Sequence, residues 1–212
     1  MKDIRAKLRL PLGNTLLKDD SGIMAHSVLL PLEKFQGMVF PYSPNIQVQH
    51  SANYGEYDLT HTNYTSNYFM NSRPPEIAID GMLTAQTDAE ARYMLAVIHF
   101  FRIVTKMRTG FNDPDRGVPP PVLRFSAYGD LVFSNIPVIV RSFSHNFQND
   151  VDYVDVFTST SATETSQDFV NKMPSAMNIF VSLAVQPTLS KIRSEFTLSK
   201  FSSGELVKKG YI

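Results

Sequence analysis

Residues 87–110 read TDAEARYMLAVIHFFRIVTKMRTG, the one long helical pattern in a chain that is otherwise strand-like. Thr87 followed by Glu90 has the spacing of a capping box. Asp88 and Glu90 put negative charge at the positive end of the helix dipole, and Lys106 and Arg108 put positive charge towards the other end. Gly110 suits the left-handed position that stops a helix. The stretch therefore predicts a helix over about 87–109. Tyr93, Val97, Phe100, Val104 and Met107 fall on one face, and Met94, Leu95, Ile98, Phe101 and Ile103 make much of the rest apolar. A helix so apolar all round is covered on more than one side. Its apolar centre, 93–104, is shorter than the roughly 20 residues of a membrane span, and His99 and Arg102 interrupt it. A sheet supplies one cover. A neighbouring subunit is the second cover on this reading, which makes Met94, Ile98 and Phe101 candidate interface residues.

Ahead of the helix, 37–42 (GMVFPY) is a short strand ended by prolines, and 46–50 alternates apolar and polar residues as a half-buried strand does. Residues 76–84 (EIAIDGMLT) place Ile77, Ile79, Gly81 and Leu83 on one face. Between them, 51–75 is polar yet carries Tyr54, Tyr57, Tyr64 and Tyr68. It reads either as a long loop or as strands that bring tyrosines to an interface. After the helix, 122–127 and 131–140 flank Tyr128-Gly129-Asp130 as a hairpin. Pro137 inside the second strand argues for an edge or a bulge there. Residues 141–147 and 151–157 look like another strand pair, 158–174 a mobile loop, and 190–212 a basic tail. Residues 176–186 alternate best of all, with Met177, Ile179, Val181, Leu183 and Val185 on the core face. Residues 1–36 are broken by Pro11, Gly13, Gly22 and Pro31 and read as an extended arm that docks on something. The sum is a mainly β, α+β chain: an antiparallel β-sandwich or open barrel with one flanking helix. It divides into an arm, 1–36, and a domain, 37–212.

The 212 residues suffice for a sizeable core. Lysine plus arginine and aspartate plus glutamate number 20 each, so no global field draws the chain to nucleic acid or membrane. The absence of cysteine excludes disulfides, thiolate metal sites and cysteine nucleophiles. No signal-peptide pattern opens the sequence. The neutral sum hides segregation. Lys2, Arg5, Lys7, Arg9 and Lys18 make the start basic, 142–171 carries no lysine or arginine but has Asp150, Asp152 and Asp155, and the end turns basic again. Ordinary solvated surface explains this, as would complementary patches between copies.

Catalytic chemistry is not visible. There is no phosphate loop, no nucleophile elbow and no H-E-x-x-H. His26, His50, His61, His99 and His145 are scattered singly, without metal-ligand spacing. The tyrosines of 51–75 have only Arg73 among them, too little charge to track a nucleic acid backbone. No catalytic, cofactor or metal residue is assigned.

The order of motifs carries a resemblance. FPYSPNIQVQHSANYGEYDLTHTNY (40–64) is followed by SRPPEIAIDGMLTAQTDAEARYMLAVIHFFRIVTKM (72–107). Then come PPPVLRFSAYGDLVFSNIPVIVRSFSHNF (119–147), DVDYV (150–154), and an LAVQP strand before a Phe-containing tail. This resembles the tail-tube initiator and tube-cap proteins of contractile-tailed bacteriophage baseplates, over about residues 37–212. The resemblance implies a tail-tube fold and a homo-hexameric ring whose hairpins join into one β-barrel around a channel. It implies a virion protein, assembled in the host cytoplasm, that docks on the baseplate hub and starts tail-tube polymerisation. The partners implied are the adjacent hub and tube rings, with DNA passing through the channel without specific binding. No small-molecule substrate, cofactor or membrane is implied, and no enzyme. Segments 46–79 and 133–157 would be barrel and ring-contact elements, with Tyr64, Tyr68, Asp150, Asp152 and Asp155 joining Met94, Ile98 and Phe101 as interface candidates. Another ring of the tube, or its cap, is the neighbouring alternative. A carbohydrate-binding β-sandwich using the tyrosines of 51–75 as a stacking platform is the alternative of a different class.

Overall fold

The computed structural model describes residues 3–14, 16, 28–111, 116–157 and 170–212. The chain order is β1 (Lys7–Arg9), a 3-10 turn (Leu30–Phe35), β2 (Gly37–Val39), β3 (Asn45–Tyr57), β4 (Ser66–Thr84) and α1 (Asp88–Val104). Then follow β5 (Leu123–Ala127), β6 (Phe133–Phe147), β7 (Tyr153–Phe157), β8 (Val170–Pro174), β9 (Ala176–Val185) and the short helices α2 (Leu189–Glu195), α3 (Leu198–Ser202) and α4 (Glu205–Lys208). Seven strands form one antiparallel sheet in the order β2-β1-β5-β6-β9-β4-β3, and β7 pairs with β8 in a two-stranded sheet. The chain is a sheet-dominated, mainly antiparallel α+β fold.

Alternation builds the large sheet. Ile77, Ile79 and Leu83 of β4 lie beside Leu183, Val181 and Met177 of β9, and all six are buried. Ile136 and Val138 of β6, Leu123 and Phe125 of β5 and Leu8 of β1 extend the same face. Each large side chain so buried contributes about 1.5–3 kcal/mol. Gly81 is a glycine because a Cβ there would stand 2.6 Å from the ring of Phe40, which fills the space.

α1 starts as its sequence predicts: Thr87 Oγ1 accepts from the Glu90 N–H, and the Glu90 carboxylate reaches back to the Thr87 N–H. It stops five residues early. The Thr105 hydroxyl donates to the carbonyls of Phe101 and Arg102 at 2.9 and 3.2 Å, occupying the end of the helix, so Gly110 has no part in it and Met107 lies exposed. Tyr93 ties α1 to the sheet edge. Its hydroxyl donates to the Val39 carbonyl at 2.5 Å and accepts from the Val39 N–H at 2.8 Å, closing backbone groups of β2 that an edge strand would leave open.

The second cover of α1 comes from this chain itself. The β7–β8 pair and the 3-10 turn pack on the helix away from the large sheet and bury Val156, Met173 and Leu32 in the same core. Met94, Ile98 and Phe101 are 1%, 3% and 0% exposed, so no part of them is left for a neighbour. The expectation that they form a ring interface is corrected: the helix is apolar all round because it is the middle layer of three.

Four other expectations are corrected. The start of the chain is no separate arm: β1 inserts between β2 and β5, and Leu8, Leu10, Leu29 and Leu32 belong to the core. Pro137 is on neither an edge nor a bulge. β6 is interior, and the Pro137 carbonyl accepts the Gln186 N–H at 2.9 Å, so its donor-less nitrogen faces a side where β9 has already ended at Val185. β6 and β7 do not pair, because β7 leaves the sheet to pack on α1. Residues 170–174 are strand β8 rather than loop, while 158–169 lie outside the described residues. The basic tail folds as α2, α3 and α4, with Leu206 and Tyr211 buried outside the main core.

Candidate functional site: a hairpin arm without a core

β3 and β4 are far longer than the body they belong to. β4 pairs with β9 only from Glu76 to Thr84, and β3 follows β4 in the other direction to Tyr57↔Ser66. From Gln49 to Tyr57 and back from Ser66 to Pro75, the two strands have only each other among the described residues. At 3.4 Å per residue the free arm reaches about 27 Å beyond the sheet, before its loop.

Its large aromatic side chains stand exposed among polar ones. Tyr54 meets Phe69 edge-on at 5.8 Å on one face, and Tyr57 lies 4.6 Å from Tyr68 on the other. Tyr54, Tyr57, Leu59, Tyr64, Tyr68, Phe69 and Met70 are all exposed, Tyr64 at 88%. Gly55 is directly opposite Tyr68, whose ring covers it so closely that a Cβ would stand 2.5 Å from the ring. An isolated two-stranded hairpin is marginal in water. This one has apolar groups on both faces and an unpaired backbone along both edges, a surface that gains from being covered and continued by other strands. The tyrosines split between two faces, with ring planes 73° apart for Tyr54–Phe69 and 42° apart for Tyr57–Tyr68, and do not form a flat platform.

The outer face of the body sheet differs. Asn45, Gln47, Ala78, Asp80, Phe180, Ser182, Ser142 and Ser144 line a shallow depression of about 310 Å³. Arg141 lies nearby on β6 and is engaged by Glu76 across β9. At the root of the arm, Pro75, Val185, Pro187, Ile192, Phe196 and Tyr211 line part of a groove of about 620 Å³, with His50 and Arg73 also contributing.

The other sequence candidates are scattered. Tyr64 lies in the connection at the tip of the arm and Tyr68 on β4. Asp150 and Asp152 are exposed at the far end of β6, and Asp155 on β7 pairs with Lys172 at 3.3 Å. His145 stacks on Phe143 at 5.4 Å and meets Phe147 at 5.0 Å. Burial, helped by Arg102, holds the His145 and His99 imidazoles below their ordinary pKa. His145 stands in a row of aromatic rings between Phe143 and Phe147. Among the described residues no three histidines, aspartates or glutamates gather as a metal site would require, and no helix is long and apolar enough to cross a membrane. Sequence reasoning missed that both edges of the arm are unpaired. Strand length relative to neighbours was the only signal, and it needs the register.

No protein-family model matches the chain, and no curated protein matches it.

Proposed function

We propose that this chain is a structural ring protein of a contractile phage tail, forming a homo-hexamer at the junction of baseplate hub and tail tube and initiating tube polymerisation. The observation that carries this reading is the β3–β4 arm, with exposed aromatic side chains on both faces and two open edges. Backbone pairing along both edges joins each copy to a neighbour on either side. Contacts of that kind are heterologous, and they generate closed rings when the rotation closes. The number six and the place at the hub come from the motif resemblance. The polar stretch of the sheet's outer face around Asn45, Gln47, Ser142, Ser144 and Ser182 supports a channel wall that lets DNA slide without holding it. Its nearby cation, Arg141, is engaged by Glu76, and Asp80 adds negative charge. The adjacent rings of hub and tube are the partners, the virion tail is the location, and no catalysis is involved.

Electron microscopy of the purified chain, alone and with hub protein, tests the reading. Six-fold rings in which the arm lies against the adjacent subunit are expected. A chain that stays monomeric at high concentration and joins neither hub nor tube would sink it.

A further inference from the structure

The outer face of the large sheet changes character from one side to the other. On β3, β4, β6 and β9 its polar groups are neutral or acidic: Asn45, Gln47, Asp80, Ser142, Ser144 and Ser182. On β1 and β5 they are cations. Arg9 and Arg124 are direct cross-strand neighbours, with Cα atoms about 4.5–5.5 Å apart. Leu8 and Leu10 flank Arg9, Leu123 and Phe125 flank Arg124, and all four are buried in the core. Alternation therefore sends both arginine side chains to the outer face. Both are half-buried, and neither has a carboxylate partner among the described residues. Like charges directly opposite on adjacent strands are destabilising, so the pair gains from an anion between them.

The pair lines a recess of about 440 Å³ together with Gln36 and Asn135. Arg9 and Asn135 also line an adjoining recess of about 140 Å³, which adds Arg5, Lys7, Asp3 and Asp130. Asp3 is taken: Arg5 Nε and a terminal guanidinium nitrogen each donate to it at 3.0 Å. Across the two recesses four cations face two carboxylates, so positive charge is in excess.

We propose that this double recess holds the phosphodiester backbone of a DNA duplex, with one phosphate bridging Arg9 and Arg124. Guanidinium forks match phosphate oxygens in short, charge-assisted bonds. The two free oxygens of a phosphodiester diverge from a tetrahedral centre, so one group serves two forks and relieves their repulsion. The recess continues past Arg9 instead of closing, which suits a chain of phosphates better than one small anion. Such a contact carries no sequence preference. Because the chain is neutral overall, the attraction is local and falls as salt is raised. The contact belongs to the single chain and does not depend on a ring. On the ring reading, DNA sliding along the polar stretch also passes this pair, which adds a point of drag to the wall.

The test is fluorescence anisotropy of a short labelled DNA duplex titrated with the full chain at low salt, below the concentration at which it assembles. Binding that weakens as salt is raised is expected. Arg9→Gln with Arg124→Gln should weaken it at least about tenfold, since each lost bond is to a charged group. Lys106→Gln with Arg193→Gln removes the same charge elsewhere and should leave binding unchanged. Equal loss in both double variants overturns the site. Inorganic phosphate should displace the duplex only at far higher phosphate concentration; displacement at matched phosphate makes the ligand a free anion and overturns the polymer assignment. Poly-glutamate that binds as tightly as the duplex overturns the phosphate assignment. Crosslinking of the wild-type chain to the duplex, mapped by mass spectrometry, reads the same contact should the glutamine variant fail to fold. Crosslinks are expected beside Arg9 and Arg124, and crosslinks confined to other segments overturn the proposal. A chain that binds no duplex at low salt overturns this proposal and leaves the ring reading standing. A chain that binds duplex but forms no ring sinks the ring reading alone.

Discussion

Phe101→Ala separates the two roles that α1 and the arm have been given. Phe101 is fully buried, stacked on Phe143 at 4.6 Å with 12° between ring planes, and edge-on to Phe100 at 5.5 Å. Removing a ring from such a core costs about 3–5 kcal/mol, since the cavity left behind adds to the lost transfer energy. In a chain of this size 1 kcal/mol moves the melting temperature by about 2–4 °C, so Phe101→Ala should lower it by roughly 6–20 °C. Tyr54→Ser with Phe69→Ser removes comparable apolar surface from the arm. Those rings are already exposed, and surface changes fall within about 0.5 kcal/mol each, so a shift below about 4 °C is expected. Ring formation should respond in the opposite order: lost in the arm variant, retained by whatever fraction of Phe101→Ala remains folded. The assay is differential scanning calorimetry at a concentration too low for assembly, because association would itself raise the melting temperature. Sedimentation at high concentration supplies the second reading. If Phe101→Ala blocks assembly while melting within 2 °C of the wild type, the three-layer account of α1 is refuted. If the arm variant melts 10 °C lower, the arm belongs to the core.

Tyr93→Phe keeps the ring but removes the hydroxyl that serves both backbone groups of Val39, and should cost about 1–3 kcal/mol, measured by urea unfolding; an unchanged midpoint would mean that β2 is held otherwise. His99 and His145 both have folded pKa values below the ordinary 6.5, chiefly through burial, so the unfolded chain binds more protons between the folded and unfolded values. Stability should therefore fall as pH drops through 6.5 towards those lower values and recover as it rises. The double variant His99→Gln/His145→Gln should flatten that slope in urea titrations from pH 5 to 8, and an unchanged slope would place the titration elsewhere.

The local elements were readable because local physics sets them. Thr87 and Glu90 cap α1 through groups three residues apart, and the alternation of 176–186 meets one wet and one dry face. Pro137 misled because a proline's cost depends on which neighbour its nitrogen faces. That in turn depends on where β9 stops, 48 residues along the chain. The early end of α1 was open to inspection in Thr105, but glycine at 110 is the stronger terminator by propensity and drew the boundary outwards.

Periodicity, capping and composition are properties of neighbours in the chain. They were enough for an antiparallel α+β fold, one long helix apolar on all sides, an aromatic stretch at 51–75 and charge divided between segments. Contacts between distant segments needed the folded chain. Residues 7–9 enter the middle of a sheet, β7 and β8 roof the helix, and Arg9 meets Arg124 across 115 positions of sequence. The sequence at 87–110 shows that the helix is buried on two sides. Whether its own chain or another copy does the burying depends on long-range packing, and here it is its own chain.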